Sequence, residues 1–278
     1  MLRLLLRLGR PLWIGCGFVL PLASCIRFAS ELDRLDSERS ALDALPPAAP
    51  GKDWSCSLAE EPAPAAAGSP LGLGVFAVDF VTAAPVEELR VRACFRADVD
   101  CANPISDQLT PRDDGRIEIS LEPGFNGYLE IQAAGMLPTL LFFSAPWSPQ
   151  LLAQLERTPV RLLPLPSLQA LGKTARIALD PLGGVVGVYA YDCAGTAAPG
   201  VRLELDTSAV PYAFVDELPV ADQDVTSEQG LAGFVNVPPG VVLVSSFAEG
   251  QPEALSVESL LVRSGWLSSM SLLPGSSR

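Results

Sequence analysis

The sequence predicts an all-β protein: two tandem antiparallel β-sandwich domains behind an N-terminal signal helix and a Pro/Ala-rich linker. Three observations predict it. Alternating, β-branched runs recur from residue 73 onward, Gly and Pro turn residues punctuate them, and the layout of the first set returns in the second.

The first unit opens with "LGVFAVDFVTAAPVEELRVRACF" (73–95), which reads as strand, turn, strand, broken once at Thr82 to Pro85. "GVVGVYAYDCAGTAAPGVRLELD" (184–206) repeats that layout, with Ala83-Ala84-Pro85 matched by Ala197-Ala198-Pro199. The second part of each unit also corresponds. "DDGRIEISLEPGFNGYLEI" (113–131) places turns at Gly115 and Pro123-Gly124, and "EQGLAGFVNVPPGVVLVSSF" (228–247) places them at Gly230 and Pro239-Gly240. Asp-Gly and Pro-Gly supply the positive and preset φ that tight turns between antiparallel strands require. Between the units, "VRLLPLP" is a candidate strand closing the first sandwich, and "SLQALGK" a short helix.

This order of strand, Ala-Pro turn, strand, loop, D-x-x-G, strand, Pro-Gly, strand resembles the carboxypeptidase regulatory-like domain, one of the transthyretin-like and CnaB-like sandwiches. The resemblance covers about 73–145 and 184–273. The lysine–asparagine isopeptide bond common in CnaB-type domains is not expected, because Lys52 and Lys173 fall in linkers.

Ahead of the sandwiches, Arg3, Arg7 and Arg10 precede an uncharged run from Pro11 to Ser24, the order of an export signal. Gly15, Gly17 and Pro21 interrupt that run, which falls short of the ~20 apolar residues of a membrane helix. Leu22-Ala23-Ser24-Cys25 then resembles the lipobox of bacterial lipoproteins. The resemblance implies cleavage before Cys25, diacylglycerol on its thiol and acylation of the new amine. Two or more acyl chains make a stable anchor, at ~0.8 kcal/mol per buried methylene. Removing residues 1–24, with three arginines and no acids, turns 19 basic and 32 acidic residues into 16 and 32, a net charge of −16. Anionic lipid repels such a body, so it should stand off the surface. Ile26 is not the aspartate that commonly retains lipoproteins at the inner membrane, which points to the outer membrane.

The boundaries follow: signal peptide 1–24, linker with a short helix 25–70, first sandwich 71–165, short helical connector 166–183, second sandwich 184–278. The linker carries Pro46, Pro47, Pro50, Pro62, Pro64 and Pro70, and Ser30 can cap a helix reaching to Leu45.

The remaining cysteines of the exported chain are Cys56, Cys94, Cys101 and Cys193, and an oxidising compartment allows them to bridge. The spacing of Cys94 and Cys101 is too wide for C-x-x-C chemistry, and a bridge across "FRADVD" is the simplest reading. Cys56 and Cys193 would then pin the start of the first domain to the second. Four cysteines permit three pairings, and buried free thiols are the alternative.

Chemistry is scarce. There is no histidine, which removes the usual general base and the commonest metal ligand. A pI near 4.4 argues against nucleic acid as a partner. Asp98 and Asp100 begin an EF-hand-like spacing that fails at Ala102, Asn103 and Leu109, so no metal site is assigned. No cofactor and no catalytic residue is assigned either. Trp54, Trp147 and Trp266 read as core or strand-edge residues. The segment "VPYAFVDELPVADQD" (210–224), longer than its counterpart in the first unit, offers Tyr212, Phe214, Asp216 and Glu217 as a candidate contact loop, with a strand capping the sandwich as the plainer reading. The chain thus reads as a lipid-anchored cell-envelope protein, structural or binding an envelope protein or glycan, and not an enzyme. The alternative is an accessory subunit or a hydrolase working with carboxylates alone.

Overall fold

The computed structural model describes residues 52–58, 70–109, 116–122, 125–143, 158–216 and 218–274. All of them fall in one compact unit, Pro46–Arg278. Cys25, the signal and most of the linker lie outside the described residues.

The first half builds β1 (Leu71–Val75), β2 (Ala77–Asp79), β3 (Arg90–Phe95), β4 (Ser106–Gln108), β5 (Ile117–Leu121), β6 (Gly127–Gln132), β7 (Thr139–Phe143) and β8 (Val160–Leu162). A helix, α1 (Leu165–Thr174), follows on the "SLQALGK" stretch, with proline in its first turn and Lys173 in its last. The second half builds β9 (Gly184–Ala190), β10 (Arg202–Leu205), β11 (Val210–Val215), β12 (Leu218–Ala221), β13 (Leu231–Val237), β14 (Gly240–Phe247), β15 (Ser256–Val262) and β16 (Leu267–Leu272).

The duplication in the sequence is a duplication of strand pairing. β1 pairs with β5 as β9 does with β13, β3 with β6 as β10 with β14, and β6 with β7 as β14 with β15, all antiparallel. The "VRL" strand β8 closes the first half by lying parallel to β2, as β16 lies parallel to β9. Gly115 and Pro123-Gly124 lie outside the described residues, and of the second-half turns Gly230 shows why glycine is needed. Gly230 has φ 71°, and a methyl group there would come within 2.5 Å of the Ala190 carbonyl oxygen and 2.9 Å of the Ala198 nitrogen.

The fold is an all-β pair of sandwiches, with one feature beyond the expected antiparallel hairpins. β16 also pairs in parallel with β7, from Leu267 opposite Thr139 to Ser271 opposite Phe143. A short turn, Arg263 to Trp266, carries the chain from the three-stranded layer of β15 into the opposite layer, so β16 inserts between β9 and β7 in the direction both run. One sheet of each half thereby fuses into nine strands, ordered β12-β11-β13-β9-β16-β7-β6-β3-β4.

The fusion sets the two cores on opposite faces of one sheet. Successive strand residues point to opposite faces. Along β7, Leu140 and Phe142 join Val186, Val188, Phe234 and Met270 in the second-half core. Phe143, with Leu141 packed alongside, joins Leu73, Ile117, Ile119 and Leu162 in the first. β5 alternates strictly, with Ile117, Ile119 and Leu121 buried and the residues between them exposed. β9, central in the sheet and covered on both faces, is buried at every position except Tyr189.

A buried polar cluster ties the halves together. Glu130 on β6 is 1% exposed and takes Arg92 of β3 on Oε1 and Arg263, just after β15, on Oε2 at 2.8 Å. Gln132 Nε2 donates to Glu130 Oε1 at 2.7 Å. Arg263 also donates to the Val99 carbonyl at 2.6 Å and to the Tyr128 hydroxyl at 3.1 Å, and that hydroxyl donates to the Asp98 carbonyl at 2.6 Å. Nearby, Arg96 reaches Glu258 of β15 at 3.5 Å and the Ser259 carbonyl at 3.0 Å. Replacing the Glu130 carboxylate by an amide would leave two partly buried arginines without their counter-charge. Glu130→Gln should therefore lower the unfolding free energy by about 3 kcal/mol, the cost of breaking a buried pair, as measured by urea denaturation.

Two disulfides complete the frame: Cys94–Cys101, the simplest reading of their spacing, and Cys56–Cys193, which completes one of the three pairings the sequence left open. Around the second, the Cys193 amide donates to the Asp53 carbonyl at 2.8 Å and Lys52 Nζ to the Ala197 carbonyl at 2.6 Å. The segment leading from the linker is thus stitched to the second half, and the bridge closes a covalent loop around the whole first half. Loop-closure entropy scales with the logarithm of loop length, so removing Cys56–Cys193 should cost about 5 kcal/mol and removing Cys94–Cys101 about 2.5 kcal/mol. Denaturation midpoints of Cys56→Ser/Cys193→Ser and Cys94→Ser/Cys101→Ser should fall in that order.

Candidate functional site

The second-half portion of the fused sheet has a face turned away from its own core. Val185, Gly187 and Tyr189 of β9, Tyr212 and Phe214 of β11, Leu231 and Val235 of β13, and Leu267 and Ser269 of β16 point to it. α1 crosses above them and brings down Leu168 and Leu171, with Ile177 and Leu179 following. Gly172 lets that segment approach, since a methyl group there would sit 3.0 Å from the Leu179 side chain. Between helix and sheet lies an apolar cavity of about 90 Å³, open to solvent on one side. Phe80, from the turn after β2, and Arg161, on β8, complete the wall from the first half.

Gly187 lies in the floor, and Gly233 lies against the Tyr212 ring that lines it. A methyl group at Gly233 would overlap the Val186 carbonyl oxygen and come within 2.8 Å of the Tyr212 hydroxyl oxygen. The Tyr212 ring therefore lies across β13 toward β9, and its hydroxyl donates to the Val186 carbonyl at 3.3 Å. Phe214 meets Tyr212 edge-on with centroids 5.8 Å apart and Phe80 at 6.2 Å. Gly187 leaves open space, its nearest neighbour in the cavity being Leu267 at 3.5 Å.

Burial pushes the phenols of Tyr212 and Tyr189 above their ordinary pKa, with Arg161 opposing the rise at Tyr189. Both are neutral O–H donors at physiological pH. Arg161 is exposed and makes no hydrogen bond or ion pair among the described residues, and the Tyr189 hydroxyl makes no hydrogen bond there either. No carboxylate lines the cavity among the described residues. The site can offer an apolar enclosure, a phenol donor and one guanidinium.

The structure scatters the residues singled out from sequence. Tyr212 and Phe214 are not in a loop but on strand β11 of an edge hairpin, facing the cavity; Asp216 sits in the hairpin turn with φ 49°, and Glu217 and Cys25 lie outside the described residues. Trp54 and Trp266 pack against the second-half core. Asp98 accepts the amides of Asn103 and Ala102 at 2.8 and 2.9 Å, which holds its carboxyl below the usual range, and Asp107 forms an ion pair with Arg90 at 2.7 Å. Cys94, Cys101 and Glu130 cluster within 4.8 Å, but the sulfurs are bonded to each other and the carboxylate to arginine. The cavity itself was not singled out from sequence. Its signal was the glycine inside two strand runs, "GVVGVYA" and "LAGFVNV", where a missing side chain marks a close approach.

Gly233→Ala should destabilise by about 1 to 3 kcal/mol through overpacking against sheet backbone, whereas Tyr212→Phe, losing one hydrogen bond, should cost under about 1 kcal/mol. Thermal melts of the two variants check the order.

No protein-family model matches this chain, and no curated protein does. Among solved structures it is similar to the Bacillus anthracis TIE protein at 10% identity over 74% of this chain and 34% of that one, TM-score 0.24. It is also similar to a streptococcal ancillary pilin at 14% identity over 73% and 69%, TM-score 0.25. A third is GBS52, the minor pilin of Streptococcus agalactiae, at 9% identity over 76% and 97%, TM-score 0.25. The chain spans about a third of the TIE protein's length. Scores at this level carry nothing toward function, which rests on the cavity and the frame that holds it.

Proposed function

We propose that this chain is a lipid-anchored protein of the cell envelope, held at the outer membrane through Cys25, whose paired sandwiches form a rigid binding module of the carboxypeptidase regulatory-like type. The observation that carries the reading is the closure of Cys56, Cys94, Cys101 and Cys193 into two disulfides. Structural disulfides belong to exported proteins, and an export signal ending in Leu-Ala-Ser-Cys is what precedes them. The doubled strand pairing supports the domain type. A partner in the envelope, protein or glycan, would meet a body of net charge −16 after removal of three arginines from the 19 basic and 32 acidic residues. A carboxylate-based hydrolase is the less favoured role. Among the described residues the buried acids are Glu130, Glu258 and Asp192; the first two face arginines, Asp192 lies 4.0 Å from the Lys52 ammonium, and none of the three lines the cavity.

Intact mass of the membrane-extracted protein beside its Cys25→Ser variant tests the anchor. The native chain should start at Cys25 and carry acyl mass, and the variant should lack that mass and leave the membrane fraction. A native chain without acyl mass, or a variant equally membrane-bound, overturns the reading.

A further inference from the structure

The cavity under α1 joins an apolar enclosure walled by both halves to an arginine at its wall with no acidic partner among the described residues. We propose that it is a binding site for a small carboxylic acid with an apolar tail, the tail inserted between α1 and the sheet and the carboxylate held by Arg161 and the Tyr189 hydroxyl. The inference deepens the binding-module reading and is independent of the lipid anchor.

Size sets the tail. An apolar cavity of about 150 Å³ holds a benzene ring. At about 90 Å³, and open on one side, this one suits a flexible alkyl tail of a few carbons in place of a ring, with the polar end at the mouth. The lining that would enclose such a tail is aliphatic and aromatic: Leu168, Leu171, Val235, Leu267 and Phe214. Charge sets the head. Arg161 is the one formally charged residue of the lining among the described residues, so an anion is favoured locally in a chain that is acidic as a whole. A guanidinium presents a planar fork matched to a carboxylate, and a phenol O–H can donate to the same oxygens. Tyr189 is suited to that task because burial keeps it protonated. Ser269, 9% exposed, adds a hydroxyl to the sheet side. Gly187 matters by what it lacks, since any side chain beyond a methyl group would occupy the space of the tail.

Isothermal titration of the full chain in phospholipid nanodiscs, with empty nanodiscs as reference, tests this with three probes: hexanoate, its neutral amide hexanamide, and acetate. Hexanoate should bind about tenfold tighter than hexanamide, the difference of one good charged contact, and acetate should not bind. Arg161→Gln, at an exposed position with no hydrogen bond or ion pair among the described residues, should bring hexanoate down to the level of hexanamide and change hexanamide binding far less. Gly187→Val should abolish binding of both. Equal binding of hexanoate and hexanamide, unchanged hexanoate affinity in Arg161→Gln, or no binding of hexanoate to the native chain would each overturn the proposal. Acyl mass on Cys25 would be untouched by any of these results, so failure here and failure of the anchor are separately visible.

Discussion

The structure depends on one strand. β16 lies between β7 and β9, parallel to both, and it is the strand through which the two halves share one sheet. Its backbone ladder on both sides turns two sheets into a nine-stranded one. Because strand residues alternate between faces, that single sheet must then serve two cores, one on each face, and each half covers a face the other leaves open. α1 and the Phe80 turn reach the outer face of the second half, where the cavity lies.

The polar interior follows from the same geometry. Glu130, Arg92 and Tyr128 occupy positions that would face solvent in an isolated first sandwich, and the second half lays Arg263 and β15 over them. Charges taken out of water need partners: Glu130 has Arg92 within its own half and Arg263 across the junction, and Arg96 meets Glu258 across it. Buried serines of the second half are matched in the same way: Ser246 with Ser256 at 2.7 Å, and Ser268 with the Leu261 carbonyl at 2.6 Å. The Cys56–Cys193 bridge adds a covalent tie at the end of β9, so a load entering from the linker reaches the second half without passing through the first.

Local signals made the hairpins legible. Ala-Ala-Pro, Pro-Gly and Gly230 mark turns because only certain residues tolerate those backbone angles, and the repeated spacing carried over into repeated pairing. The disulfides were legible as a preference among three pairings. The fused sheet was not, because alternation states which residues face a core but not which strand lies at the next edge. "GYLEI" shows the difficulty: its period marks Glu130 as the polar face, and only the presence of the second half makes that face buried. The cavity was not read from the sequence. Glycines inside β9 and β13 are the local trace of a close approach, while the helix that roofs it and Arg161 at its wall come from segments with no periodic relation to those strands.

Native-state hydrogen exchange, followed strand by strand in rising urea, tests the one-sheet account most directly. If β16 welds the halves, amides of β3, β6, β7, β9 and β16 should lose protection together, in one opening with the free energy of global unfolding. Exchange of β3 and β6 at a clearly lower free energy, while β9 and β16 stay protected, would show two independent sandwiches and contradict the account.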